Sequence, residues 1–195
     1  MKKSVTLIEL IIAVSLLAVI ILAVTAFSVA SHRFYQSSKR KMKVLNELTY
    51  LLEHINKNVS LAIGDINNPG VVVTSTTLQI RQDIHSGTRQ PNNTPEDYND
   101  DTWVEYRVNT NDLDFCPIYL YATSTCSGAY ETLSLKKIVR DAAPNDFEFT
   151  QTSPGGVSIS NLKLRYDATK SKEGKTNPQA EISIISFVSM SHSTN

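Results

Sequence analysis

Residues 10–30 read LIIAVSLLAVIILAVTAFSVA, twenty-one positions without a charged side chain. An α-helix rising 1.5 Å per residue needs about 20 such residues to cross the ~30 Å hydrocarbon core of a bilayer. Lipid offers no hydrogen-bond partner, so a lone spanning segment must satisfy its own backbone as a helix. A secretory signal has a shorter apolar region followed by a small-x-small cleavage site. Ser28-Val29-Ala30 supplies such a triplet and keeps cleavage there as an alternative. The 165 residues beyond the run suffice for one domain with its own core.

Met1-Lys2-Lys3-Ser4 precedes the run, followed by Val5-Thr6-Leu7-Ile8-Glu9-Leu10. A carboxylate at the mouth of a lipid-facing helix costs up to about 2.5–3.5 kcal/mol on insertion scales, so such a group usually pairs or works. Alternatively, Glu9 sits in the headgroup layer, in a first turn whose dipole favours an anion. These residues resemble the prepilin-type cleavage and methylation motif of type IV pilins and type II secretion pseudopilins. The resemblance implies that Ser4 ends a basic leader cut by a prepilin peptidase, that Val5 becomes the N-methylated N-terminus, and that Glu9 is the fifth mature residue. Ser4 stands where the family usually has glycine, and Val5 where phenylalanine or methionine is commoner. In a staggered bundle of such helices, Glu9 would meet the Val5 ammonium of a neighbour and set axial register, because an unpaired ion in a low-dielectric bundle is costly.

Nineteen Lys+Arg balance nineteen Asp+Glu, so no overall field attracts nucleic acid. The basic residues that do cluster, Arg33, Lys39, Arg40, Lys41 and Lys43, follow the apolar run. A Lys/Arg count against Lys2 and Lys3 alone would place the C-terminal side in the cytoplasm. The resemblance implies the reverse: a single pass through the inner membrane, N-terminus in the cytoplasm, head outside. The basic stretch reads as a solvated helix face near headgroups or as a contact for an anionic partner.

Val44, Leu45, Leu48, Leu51, Leu52, Ile55 and Val59 recur at three- and four-residue spacing, the pattern of an amphipathic helix on a core. No proline interrupts 5–63, and Gly64 followed by Asp65, Asn67, Asn68, Pro69 and Gly70 is a stop signal. One long helix is expected, with a break near 31–38 as the alternative because helix formers are weak there. Apolar or β-branched runs at 71–73, 78–84, 103–108, 118–122, 133–139, 147–150, 157–166 and 182–190 read as strands. The expected class is α+β: a long N-terminal helix, transmembrane in its first half and amphipathic in its second, packed on an antiparallel sheet. With the resemblance, this divides into a leader at 1–4, a transmembrane or filament-core helix at 5–30, an amphipathic half at 31–64 and a strand-rich extracytoplasmic head at 65–195.

Cys116 and Cys126 suit one disulfide in an exported domain, with two buried thiols as the alternative; two cysteines cannot build a four-ligand zinc site. Asp97, Asp100 and Asp101, in or beside the polar stretch 86–101, invite calcium, which some pseudopilins of the resembled family bind. They match no EF-hand, and a solvated loop is the preferred reading, with calcium as the alternative. No other cofactor is expected. Neither G-x-S-x-G, H-E-x-x-H nor a P-loop occurs, and the four histidines are scattered, so an enzyme is not expected. The helix-plus-head pattern is similar to PilW-like minor pilins and J-type minor pseudopilins. The function implied is a structural subunit of a pilus-like filament or pseudopilus, with a prepilin peptidase, sister subunits and an inner-membrane assembly platform as partners. A membrane-anchored extracytoplasmic binding domain outside any filament is the alternative.

Overall fold

The computed structural model describes residues 6–65, 67–85, 90–94, 97–133, 137–140, 146–153, 156–167 and 177–188. The proposed leader and the Ser4–Val5 junction lie outside them. Helix α1 runs unbroken from Leu7 to Ser60, through the region where a break was the alternative. The chain forms two compact units, Met1–Arg40 and Lys41–Asn195.

In the first unit the helix exposes its apolar side chains all round, from 53% at Ile12 and Val29 to 78% at Leu7. Ser15 and Thr25 return their hydroxyls to the carbonyls of Ile12 and Leu22, at 2.8 and 2.9 Å, so neither polar group needs water. This is the one described helix long and apolar enough to cross a membrane.

In the second unit α1 buries Val44, Leu48, Leu51, Ile55 and Val59 of the stripe read from sequence, whereas Leu52 is only partly buried and Leu45 is exposed, at the stripe's margins. After Ser60 the last turn tightens, with Leu61 and Ala62 N–H donating to the Asn58 and Val59 carbonyls. The exit is crowded: a Cβ on Gly70 would lie 2.0 Å from the Ile63 carbonyl oxygen, so only glycine fits there.

Two antiparallel sheets complete this unit. The first has six strands: β1 Val71–Val73, β2 Thr77–Gln82, β3 Thr102–Asn109, β4 Asp112–Leu120, β5 Thr125–Cys126 and β6 Glu131–Thr132. Their order is β1-β2-β3-β4-β5, with β6 also on β4. The second joins β7 Lys137–Ile138, β8 Glu148–Ser153, β9 Gly156–Arg165 and β10 Gln179–Val188, with β9 paired to the other three. Leu78, Ile80, Val104, Tyr106 and Leu113 from the first sheet share one core with α1 and with Phe149, Ile159, Leu162 and Leu164 from the second. The α+β class expected from sequence is therefore the class observed.

Two local devices set which side chains face that core. Trp103 pairs with Tyr119 but Glu105 with Cys116, so β4 carries an extra residue at Pro117-Ile118. This bulge accommodates a proline that has no N–H for the ladder. In β9, Asn161 lies at φ 54°, in the left-handed region that asparagine tolerates. The inward set shifts there from Val157 and Ile159 to Leu162 and Leu164, while pairing with β10 keeps its register on both sides.

Strand β4 corrects the sequence reading, which expected a strand only at 118–122. It begins at Asp112, and 121–124 form a turn. Asp112, Asp114 and Pro117 mask the strand in the sequence, although Leu113, Phe115 and Cys116 are buried. The expected strand at 133–139 shrinks to Lys137–Ile138 among the described residues, and the last expected strand, at 182–190, begins earlier, at Gln179.

Candidate functional site

The start of α1 is a reciprocal capping box. Glu9 Oε2 accepts the Thr6 backbone N–H at 2.9 Å and the Thr6 hydroxyl at 3.0 Å, while Glu9 N–H donates to Thr6 Oγ1 at 3.4 Å. Glu9 thus has a task inside its own chain, stabilising the first turn. Its second oxygen, Oε1, accepts no hydrogen bond among the described residues. Ser4 and Val5, expected as cleavage site and methylated terminus, lie outside those residues.

Cys116 and Cys126 form a disulfide, Cα to Cα 5.8 Å, ten residues apart in sequence. The bridge ties β5 onto β4, the segment that follows runs alongside β4 to β6, and Tyr130 within it reaches Glu105 on the outer face of the first sheet. Glu105, on that face, is only 3% exposed. Its carboxylate accepts the Gln79 amide at 2.7 Å and the Tyr130 hydroxyl at 2.6 Å. Burial, and then the Glu105 carboxylate it donates to, push the Tyr130 hydroxyl up to about 12, which keeps it a donor. Arg107 stacks on the Tyr130 ring, 3.7 Å from its centroid, and pairs with Asp114 at 3.7 Å. The outer face therefore holds a polar network where strand alternation alone suggests solvent.

A second polar network joins α1 to the first sheet. The fully buried Tyr106 hydroxyl lies 2.7 Å from His54 Nδ1 and accepts the Asn58 amide at 2.6 Å. Gln82 donates to Asn58 Oδ1 at 2.9 Å, and Phe115 meets the His54 ring edge to face.

The residues proposed for calcium perform separate tasks. Asp97 accepts Asn99 N–H, and Asp100 accepts the Thr94 hydroxyl at 2.9 Å. The Asp101 side chain is fully buried, and neither of its oxygens has a hydrogen-bond donor. Its nearest cation is Arg81, with Nε 3.6 Å from Oδ2. Burial pushes the Asp101 carboxyl up to about 7; Arg81 opposes this, and Asp83, Asp100 and Asp97 add to it. Arg81 is itself the hub of this corner. It donates to the Ile63 and Asn68 carbonyls and lies 4.0 Å from the centre of the Tyr98 ring, whose hydroxyl bonds Asp65 at 3.0 Å. Among the described residues, no group of three or more His, Cys, Asp or Glu side chains is placed to share a metal ion.

Sequence reasoning missed Arg81, Glu105, His54 and Tyr106. Their one local signal was phase: Arg81 and Glu105 stand at outward positions of strands, and His54 lies beside the apolar stripe of α1. Comparison of the chain with protein-family models, curated proteins and solved structures yields no match.

Proposed function

We propose that this chain is a structural, minor subunit of a type IV pilus-like filament or type II secretion pseudopilus, anchored in the inner membrane with its head outside. The observation that supports this is the apolar surface of α1 from Leu7 to Tyr35, which stays exposed among the described residues and opens on a carboxylate with one oxygen that none of them engages. Such a surface needs either lipid or neighbouring helices, and a filament subunit meets both in turn. The disulfide suits a head on the oxidising side. A leader cut at Ser4–Val5 would free an ammonium at Val5, which the Glu9 carboxylate of a neighbouring subunit would meet.

The capping box favours a second reading, since it gives Glu9 a purpose in a merely anchored binding domain as well. Processing separates the two. Co-expression with a prepilin peptidase should remove residues 1–4, read by intact mass, and Ser4→Gly should speed the cut. Met1–Ser4 retained in protein extracted from native membranes, or cleavage after Ala30, would sink the filament reading.

Assembly gives a second test. Glu9→Gln should still insert, be processed and fold, since an amide oxygen can also accept from Thr6. Recovery with sister subunits should fall about tenfold or more, because a neighbour's ammonium loses its counter-ion. Equal recovery of mutant and wild type would favour the anchored domain.

A further inference from the structure

The apolar half of α1 is bracketed by charge. Between Glu9 and Arg33, 24 positions apart, His32 is the one ionisable residue. At 1.5 Å per residue that separation is about 36 Å along the helix. It exceeds the ~30 Å hydrocarbon core and falls short of the roughly 40–45 Å of bilayer with headgroups, so a spanning helix can hold both charged ends in the polar layers at once. Arg33 is followed by two exposed aromatics, Phe34 at 71% and Tyr35 at 64%; tyrosine in particular settles at headgroup level. Lys39 is exposed as well, and neither Arg33 nor Lys39 forms an ion pair among the described residues. No acidic residue occurs from Leu10 to Asn46.

We propose that Arg33 and Lys39, with Phe34 and Tyr35, form a collar that binds the phosphate groups of an anionic phospholipid of the phosphatidylglycerol type at the C-terminal end of the span. The guanidinium suits this, since its planar fork matches phosphate oxygens two at a time. Lys39 stands six residues, about 9 Å, beyond Arg33. Helical side chains lean toward the N-terminus, here toward the bilayer, and the lysine stem carries its ammonium the same way. That brings it within the ~8 Å over which charge is felt at physiological salt.

The arrangement round the helix favours lipid over a protein partner. At about 100° per residue, Arg33, Phe34, Tyr35 and Lys39 fall near 0°, 100°, 200° and 240°, leaving no gap wider than about 120°. A lipid layer meets a helix from every side, whereas an acidic protein face meets it from one. The collar would fix how deep the span sits, and with it the level of Glu9 in the opposite layer. It rests on the spanning anchor alone and holds equally for a filament subunit and for an anchored domain.

The test uses the full chain reconstituted in mixed phosphatidylcholine and phosphatidylglycerol vesicles, with a trace of either lipid spin-labelled on its acyl chain. The motionally restricted fraction of the spin signal counts lipids held against the helix, and its presence for phosphatidylcholine verifies insertion of each variant. Phosphatidylglycerol is expected to be restricted in preference to phosphatidylcholine, the preference fading as salt rises from about 0.05 to 0.5 M. Arg33→Gln together with Lys39→Gln should lower that preference about fivefold, the factor for one basic residue near an anionic surface. Lys2 and Lys3 are present in every variant, so the difference reads positions 33 and 39. Lys57→Gln, which removes an exposed charge from the last turn of α1, should leave the preference unchanged.

Equal restriction of the two lipids by wild type, or a preference that the double variant keeps, would overturn the proposal. If the double variant keeps the preference and loses recovery with sister subunits, an acidic protein face is the occupant instead. No restricted fraction for either lipid would remove the spanning anchor, and the collar with it. Retention of Met1–Ser4, or full assembly of the Glu9→Gln chain, would count against the filament reading and leave the collar standing.

Discussion

A buried carboxylate without a hydrogen-bond donor is held in place by its surroundings, and Asp101 is such a group. Its folded-state pKa of about 7 lies above the ordinary value, so the folded chain keeps a proton that the unfolded chain releases. The stability this contributes is fully present below about pH 4 and is lost as pH rises through about 7. The groups facing it are Arg81 from β2 and Asp83, Asp97 and Asp100 from the connection to β3; Arg81 alone favours the ionised form. Urea unfolding of the full chain in detergent, followed through its single tryptophan, Trp103, should show wild type gaining on the order of 1–2 kcal/mol between pH 7.5 and pH 5 relative to Asp101→Asn. A difference that stays constant with pH would place the proton elsewhere. Tyr106→Phe makes a second residue-level test. It strips the Asn58 amide and His54 of a buried partner and should lower stability by about 1–3 kcal/mol at every pH, read in the same assay.

Helix α1 is two different elements joined by one backbone. From Val44 to Val59 its apolar residues are core; from Leu7 to Tyr35 they face outward. Leu51→Ala should therefore cost about 2–5 kcal/mol of head stability, whereas Leu17→Ala should leave head unfolding unchanged. Comparable losses at both positions would mean that the first half also stabilises the head. The β4–β5 junction is the other element whose contribution can be isolated. Its disulfide closes a ten-residue separation, and reduction should remove up to about 2–3 kcal/mol on the chain-entropy model. Because the bridge also holds the cover over Glu105, reduction should raise exchange of the Gln79 and Tyr130 protons as well. Unchanged exchange alongside lowered stability would confine the bridge to its effect on the unfolded chain.

At the scale of the whole molecule, one long apolar surface coexists with a folded head of ordinary polarity. A single helix of this hydropathy should keep the full chain in the membrane pellet after alkaline carbonate washing, and its release into the supernatant would argue against a spanning anchor. Most of this layout was legible in advance. An uncharged run of spanning length, a stripe at three- and four-residue spacing, the absence of proline and the later Gly-Asp-Asn-Pro-Gly region each state a local preference, and α1 obeys all of them. Alternation found the centres of β2, β3 and β9. It failed at β4, where Asp112, Asp114 and Pro117 look like turn chemistry, because pairing with β3 on one edge and with β5 and β6 on the other decides that strand.

The candidate site divides along the same line. The Thr6–Glu9 capping box was present in the spelling of the chain, since it needs only two residues three apart at a helix start. The segregation of charge into a basic helical stretch and an acid-rich connection was present as well. Which of three neighbouring aspartates would be buried was not, and neither was the burial of Glu105 beneath Tyr130 nor the bond between His54 and Tyr106, 52 residues apart. Periodicity and capping arise from interactions within a few residues, so the sequence by itself determined the helix, its two characters and its start. Burial and the protonation that follows from it depend on what another part of the chain places opposite a side chain, and only the tertiary structure decided that.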